Sequence, residues 1–373
     1  MPRFLCLLTA LFMTLITLVG CSPVTALTPI GVAISPALGE KRAVPDRGLT
    51  IKSFGGVLKS VTVTAAGLPV PGRFNQARSE WRSSWTLRPG ADHVVTAVTT
   101  DRRISGRFRT LTSTPPTPPK IDPLPDETVG VGMPIVVTFP LAVPDRAAVE
   151  RALEVVPDRP VEGGWHWFSD TQAVWRPRYY WQPGTKVRFT AHLAGLRFAP
   201  GVYGIADSSA TFVIGRNMSS LIDTRTHRMT VVKDGLPAQD MAISAGTATT
   251  REYTTTSGVH LTMEKKEKVR MVSPRRKPGD PEYYDLMIDH AVRISNSGEY
   301  VHAKDNLWAQ GRLNVSHGCV NARPDQAKWF FDNSLRGDPV VIVGTDRPLE
   351  PANGWGFWQL PWNQWKAGSA LAP

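Results

Sequence analysis

The sequence predicts a mainly β protein in which two small β-sandwiches precede a third, β-rich domain with one main helix and an aromatic C-terminal extension. Three observations carry that prediction. Short runs of β-branched and aromatic residues, broken by turn signals, recur along residues 30–111 and 135–214 at the spacing of sandwich strands. A proline-dense stretch, Thr112–Lys120, separates them as a semi-rigid linker. Only Pro324–Leu335 carries a full set of helix signals: Pro324 and Asp325 at the start, Gly337 as the stop, and Ala327, Phe330, Phe331 and Leu335 along one face.

Taken in order, the chain opens on a leader. Met1–Gly20 has Arg3 as a minimal positive region and then an apolar run, Leu5–Val19, relieved only by threonines. That run of about 15 residues is short against the ~20 that a spanning helix needs, so a cleaved signal is expected and not a membrane anchor. Leu18-Val19-Gly20-Cys21 resembles the bacterial lipobox, which implies cleavage before Cys21 and a diacylglycerol on its sulfur. Residues 21–29, small and polar with prolines, then form a lipidated tether on the outer, wall-facing side of the plasma membrane.

Residues 30–116 form the first expected sandwich, with strand signals at Val32-Ala33-Ile34, Leu49-Thr50-Ile51, Val61-Thr62-Val63, Trp85-Thr86-Leu87 and Val94–Val98. Residues 122–216 form the second, with Ile135–Phe139, Trp165-His166-Trp167, Ala173-Val174-Trp175, Val187–Thr190 and Thr211–Ile214. Pro89-Gly90 followed by Thr96-Ala97 recurs as Pro183-Gly184 followed by Thr190-Ala191, so one Ig-like domain is read as present twice. Their tryptophans are assigned to core packing in preference to a carbohydrate-stacking platform.

Residues 217–345 are the third domain. Ser220–Asp223 and Met229–Val232 read as a hairpin, followed by a turn at Lys233-Asp234-Gly235 and further β pattern at Met241–Gly246 and Gly258–Met263. Glu264–Lys268 mixes charge signs too closely for a basic patch and reads as a solvated strand or hairpin tip. Ser273–Asp280, bounded by proline and glycine and carrying Arg275, Arg276 and Lys277, is a candidate lid. Pro339–Val343 closes the domain, and the tail of residues 346–373, with Trp355, Trp358, Trp362 and Trp365, is too aromatic for a free end and is expected to pack on a neighbouring domain.

Composition narrows the function classes. The net charge of +11 suits anionic partners, but it is spread along the chain without a long basic run, and an exported protein meets anionic wall polymers and lipid headgroups before nucleic acid. Of the three cysteines, Cys6 leaves with the leader and Cys21 is acylated, so Cys319 is the lone thiol of the mature chain and an intramolecular disulfide is ruled out. It lies in Ser316-His317-Gly318-Cys319-Val320-Asn321, with His302 seventeen positions upstream.

A thiol of ordinary pKa near ~8.5 is a weak nucleophile, and a nearby imidazole or aimed backbone amides favour the thiolate. In an extended segment, alternation puts His317 and Cys319 on the same side, with Gly318 leaving its amide open to form an oxyanion hole. A zinc site at His302, His317 and Cys319 is disfavoured, because structural zinc wants four protein ligands and this domain lacks a second close pair. His227, His260 and His290 do not share the spacing and read as surface or packing histidines.

These residues resemble the signature of the L,D-transpeptidases of the YkuD family, and the two preceding Ig-like domains with the aromatic tail resemble its actinobacterial branch. The resemblance implies acyl transfer on peptidoglycan stem peptides without a cofactor or metal. Cys319 would attack the diaminopimelate carbonyl before the terminal D-alanine of a tetrapeptide stem, and the amine of a second stem would resolve the thioester. It implies that His302 is the base, its tautomer fixed by a neighbouring backbone carbonyl, a role that Ala303 leaves open. It further implies that His317, Gly318 and Ser316 shape the site, that amides near Gly318 and Cys319 hold the oxyanion, that Asn321 braces the loop and that Tyr284 is a lid tyrosine facing substrate. Carbapenems, which acylate the family, are expected inhibitors, and the protein is expected to be a monomer. One departure is Thr255-Thr256-Ser257-Gly258-Val259-His260, where the family usually has Thr-Pro-x-Gly-x-aromatic. Two other readings are a Cys/His peptidoglycan endopeptidase or carboxypeptidase, in which water resolves the thioester, and a non-catalytic wall-binding lipoprotein.

Overall fold

The computed structural model describes residues 31–114, 116–274 and 276–372. The leader, Cys6, the tether with Cys21, and Arg275 of the candidate lid lie outside the described residues.

Strands dominate the described chain. In the first sandwich, one sheet runs Gly31–Ser35, Thr50–Phe54, Glu80–Ser83, Gly72–Phe74 and the other Leu68–Pro69, Leu58–Ala65, Asp92–Thr99, Arg103–Arg109. Alternation selects the core face: His93, Val95, Ala97 and Thr99 point inward from Asp92–Thr99 and the residues between them do not. The second sandwich faces the sheet Thr128–Val129, Ser208–Ile214, Lys186–Ala191, Leu153–Pro157 with the sheet Gly163–Trp167, Gln172–Pro177, Ile135–Thr138, Lys120–Asp122. Lys120, the last residue of the proline run, is already paired in this sheet, opposite Thr138.

The 94-residue repeat is a repeat of geometry. Gly90 and Gly184 adopt φ of 65° and 78°, and their N–H groups donate to Leu111 and Ile214 carbonyls at 2.7 and 2.8 Å. Each turn then feeds the strand that carries the repeated Thr-Ala pair. Glycine takes that left-handed backbone conformation at no steric cost.

The third domain is one nine-stranded mixed sheet: β1 (Met218–Asp223), β2 (Arg228–Lys233), β3 (Leu236–Ser244), β4 (Gly258–Leu261), β5 (Lys265–Val272), β6 (Asp285–Arg293), β7 (Tyr300–Ala303), β8 (Val320–Ala322) and β9 (Pro339–Val343). The order is β4-β9-β1-β2-β3-β8-β7-β6-β5. Asp234 and Gly235, at φ of 51° and 83°, make the two-residue turn that joins β2 to β3, the backbone a tight hairpin of this twist requires. The long strand β3 pairs with β2 through Ala242 and then with β8 through Ile243 and Ser244, so it joins the two halves of the sheet. The charged run 264–268 enters β5, an edge strand with exposed lysines that discourage further pairing.

The main helix, Pro324–Asn333, follows β8 directly. It buries Ala327 and Phe330 against Val301, Val320 and Ala322, a burial worth about 2–3 kcal/mol for the phenyl ring alone. It ends at Asn333, short of Leu335, because Ser334 turns extended and its hydroxyl donates to the Phe330 carbonyl at 2.6 Å.

Two arginines tie this domain and the tail to the second sandwich. Arg336 reaches Asp122 at 2.7 Å and Glu127 at 2.9 Å, while the Gly130 and Gly132 amides donate to the Arg336 and Gly337 carbonyls. Arg176, 2% exposed, lies 4.5, 5.4 and 4.5 Å from the rings of Trp358, Trp362 and Trp365 and donates to the Leu360 carbonyl at 2.7 Å. The tail's Trp355, Phe357 and Trp365 are thereby part of the second sandwich's core, beside Trp165, Trp167, Trp175 and Trp181.

Candidate active site

The site is built by the parallel pairing of β7 with β8. Val301 lies opposite Val320, His302 opposite Asn321 and Ala303 opposite Ala322. Val301, Ala303, Val320 and Ala322 face the core, so alternation sends Tyr300, His302 and Asn321 to the other face. Cys319 stands one residue before β8 and packs against Tyr300, the first residue of β7. The thiol therefore lies against the start of the strand that carries His302 two residues further on.

His302 is 4% exposed. Its Nδ1 lies 2.9 Å from the Ala303 carbonyl oxygen. A carbonyl can only accept, so Nδ1 carries the proton and Nε2 presents its lone pair. Burial draws its pKa down to about 4, with Lys304 adding to the effect against the Ala303 bond. The Cys319 thiol, half-buried and unpaired, is pushed up to about 12 by burial, a tendency the Tyr300 N–H opposes and Glu299 reinforces. Its Sγ also lies 3.6 Å from the Gly298 carbonyl oxygen. Thiol and imidazole thus both rest neutral. Burial disfavours both the thiolate and the imidazolium, so the proton stays on sulfur before any substrate arrives.

His317–Cys319 is a bend and not an extended segment, with Gly318 at φ 118°. This overturns the alternation expected there. His317 turns toward the lid: its Nε2 is 2.9 Å from Glu282 Oε2, and its ring lies 4.5 Å from Tyr253 and 5.0 Å from Tyr284. The bend is locked by Ser316, whose hydroxyl donates to the Cys319 carbonyl at 2.5 Å and accepts the Gly318 N–H at 3.1 Å. Thr255 Oγ1 donates to the Gly318 carbonyl at 2.8 Å. The Gly318 amide expected to hold an oxyanion is therefore already bound to Ser316, while the Cys319 N–H has no acceptor among the described residues.

Tyr284 stands at the base of the loop between β5 and β6, which is closed by a 3.0 Å bond from the Ser273 N–H to its carbonyl. Burial and then the Cys319 sulfur raise its phenol pKa. Arg276 of the same loop lies over the Tyr253 ring at 5.2 Å and reaches Glu252 at 3.5 Å. Asn321, 5% exposed, enters the sheet opposite Ser244 of β3, which ties the end of the bend to the domain's central strand.

His227 bonds Asn314 at 3.0 Å and His290 bonds Glu267 at 3.0 Å. His260 is fully buried and not at the surface, in contact with Thr256 and Glu299. Glu299 and Thr256 were missed among the site residues. The signal for Glu299 was an acidic residue inside Gly-Glu-Tyr-Val-His, where a strand entering the core has no solvent to offer a charge. Among the described residues no group of three or more His, Cys, Asp and Glu side chains is arranged to hold a metal ion.

A half-buried thiol, a buried imidazole with a fixed tautomer and a lid of aromatic rings on a mixed sheet define a YkuD-type catalytic domain. The L,D-transpeptidase catalytic domain family matches residues 218–342, and the bacterial Ig domain family matches residues 40–197. The chain belongs to the L,D-transpeptidase family, whose members are acyl-transfer enzymes. It is 32% identical to L,D-transpeptidase 2 of Mycobacterium tuberculosis over 394 residues, covering 98% of this chain and 95% of the relative. It is 34% identical to L,D-transpeptidase 5 of the same species over 353 residues, covering 91% and 76%. Among solved structures it resembles the LD transpeptidase LdtMt1 in complex with imipenem, at 31% identity and a TM-score of 0.52, over 61% of this chain and 100% of that one. L,D-transpeptidase 3 of M. tuberculosis with a faropenem-derived adduct matches at 28% identity and a TM-score of 0.50, over 60% and 97%.

Proposed function

We propose that the protein cross-links peptidoglycan stems through a thioester on Cys319. The observation that carries the reading is the packing of the Cys319 thiol against Tyr300 at the start of β7, the strand that holds an imidazole with a free Nε2 lone pair two residues on. As Sγ attacks the diaminopimelate carbonyl, an S–C bond forms and the thiol proton passes to His302 Nε2. The two events are coupled, because burial disfavours a free thiolate and a free imidazolium alike. The tetrahedral intermediate collapses with cleavage of the C–N bond, and the proton goes to the departing D-alanine amine. The amine of a second stem then attacks the thioester, a C–N bond forms, the C–S bond breaks, and His302 returns the amine's proton to sulfur. The Cys319 N–H supplies one oxyanion donor, Ser316 holds the bend rigid, and Tyr284 and His317 wall the cleft.

The relatives solved with imipenem and with a faropenem-derived adduct support carbapenem-type compounds as acylating agents for Cys319. Intact mass after incubation with imipenem tests the assignment: one adduct on the wild-type chain and none on Cys319→Ala is expected, and equal adduct on both refutes it. With a tetrapeptide donor, a cross-linked dimer supports transfer, whereas a hydrolysed tripeptide as sole product supports the endopeptidase or carboxypeptidase reading. Anchoring through a lipid on Cys21 is part of the proposal; a Cys21→Ala chain found in the medium in place of the membrane supports it, and unchanged membrane attachment refutes it.

A further inference from the structure

The carboxylate nearest the nucleophile has no part in the reaction sequence above. Glu299 is 4% exposed and stands between Gly298, at φ 96°, and Tyr300 at the start of β7. Its carboxylate accepts the Thr256 N–H at 2.6 Å and the Thr256 hydroxyl, whose oxygen lies 2.9 and 2.7 Å from the two carboxylate oxygens. Ser297 Oγ adds a contact at 3.4 Å, and the Glu299 N–H donates to Ser295 Oγ at 3.1 Å. Behind Thr256 stands His260, 0% exposed, with Nε2 2.8 Å from the Thr256 hydroxyl and 3.9 Å from Glu299 Oε2. Thr256 and His260 occupy the positions at which this chain departs from the Thr-Pro-x-Gly-x-aromatic pattern, so the departures and the buried acid form one cluster.

Burying a carboxylate is costly unless its oxygens are well bonded, and here they are. What the cluster holds in place is the backbone on either side of Glu299. The Gly298 carbonyl lies 3.6 Å from the Cys319 sulfur and the Tyr300 N–H points at the same sulfur. One peptide segment thus offers the thiol an acceptor for its proton and a donor for its lone pair, and Glu299 is the residue between them.

We propose that Glu299 is a positioning residue for Cys319: pinned by Thr256 and His260, it fixes the Gly298–Tyr300 segment whose carbonyl and N–H seat the thiol. The seat also carries a charge consequence, since a fixed carboxylate behind the sulfur opposes thiolate formation. The groups facing the sulfur are Glu299 and Tyr300 from β7 and its approach, and Tyr284 from the lid. Those facing Glu299 are Thr256, His260 and Ser297.

The inference rests on the transpeptidase reading only in its activity arm, so the test includes a readout of the thiol alone. In the full chain, Glu299→Ala, Glu299→Gln and Thr256→Val are compared with wild type for iodoacetamide alkylation of Cys319 between pH 6 and 10 and for imipenem acylation, with thermal melting as the folding control. Glu299→Ala is expected to lower the maximal acylation rate about thirtyfold, with the half-saturating concentration within about twofold, as expected of a misplaced reacting atom. Thr256→Val, which keeps the charge and removes a tether, is expected to lose about fivefold. Glu299→Gln, able to keep the Thr256 bonds, is expected to recover most of that rate and to move the alkylation profile to lower pH. Folded Glu299→Ala with the wild-type alkylation profile and acylation rate overturns the proposal. So do equal losses in Glu299→Gln and Glu299→Ala with unchanged alkylation, which mark a contribution to folding alone. A wild-type chain that is not acylated refutes the transpeptidase reading, and the alkylation profiles still decide the seat.

Discussion

The neutral resting pair makes a prediction that separates this site from cysteine enzymes that store a thiolate–imidazolium pair. With the thiol at about 12, the thiolate fraction at pH 7 is about one in 10⁵. A free cysteine near ~8.5 is about 3% ionised at the same pH, so ionisation alone slows alkylation by roughly three thousandfold. A more basic sulfur is also a better nucleophile, and with a Brønsted slope of about 0.4–0.5 that returns about 30–50-fold. The net expectation is that iodoacetamide labels Cys319 in the native chain about a hundredfold more slowly than in the unfolded chain at pH 7. The rate should rise about tenfold per pH unit without a plateau up to pH ~10. Labelling is followed by intact mass on native protein and on protein in denaturant. A plateau with a midpoint below pH ~8 in the native chain would refute the reasoning, because it would require an ion pair that the burial of both groups disfavours.

Three further outcomes follow from the same geometry. His302 is buried neutral at about 4 against an ordinary 6.5, so its contribution to stability is present above pH 6.5 and is lost as pH falls through 4, about 3 kcal/mol in all; denaturant titration across that window should show the loss, and His302→Gln should remove its share. Gly318→Ala places a side chain at φ 118°, a strain of about 1–3 kcal/mol that the bend can relieve only by moving Cys319; imipenem acylation should fall more than melting temperature does, and an unaltered acylation rate would contradict the role given to the bend. Arg176→Met keeps the packed stem but gives up three ring contacts of about 1–2 kcal/mol each and a carbonyl bond, against a desolvation cost of about 3 kcal/mol at a pKa of about 10; calorimetry should show a loss of about 3 kcal/mol, and a wild-type transition would show that the tail is held by its tryptophans alone.

What could be read from the chain was local, and what could not was contact across distance. The Asp234-Gly235 turn, the repeated Gly90 and Gly184 turns and the helix from Pro324 are each dictated by a few adjacent residues whose backbone preferences leave little choice. The fold class follows from them, because strands of this spacing bury one face only by stacking. The bend at Gly318 was not read from alternation, although a glycine between a histidine and a cysteine is where an extended segment most easily stops being one. The bonds between Thr256 and Glu299 span 43 positions, and no periodicity in either segment announces the other. A buried acid, a threonine and a histidine look like surface residues until the strand β7 and the loop before β4 are laid side by side.

The main helix links the site to the spacer domains in mechanical terms. It begins three residues after Asn321, and the loop that follows it carries Arg336 and Asp338. Asp338 is 1% exposed and bonded to Arg216, the residue that leads from the second sandwich into β1, while Arg336 reaches back to Asp122 and Glu127 on that sandwich. A Cβ on Gly130 would come within 2.4 Å of the Asp338 amide nitrogen, so the two backbones meet with no side chain between them. Close backbone contact, paired charges and a helix packed through Phe330 onto the strands that hold His302 and Cys319 leave little slack along this path. An adjustable linker between spacer and catalytic domain would expose such contacts to water, where surface ion pairs are worth little. Their burial argues that the second sandwich is a fixed mount for the nucleophile's segment.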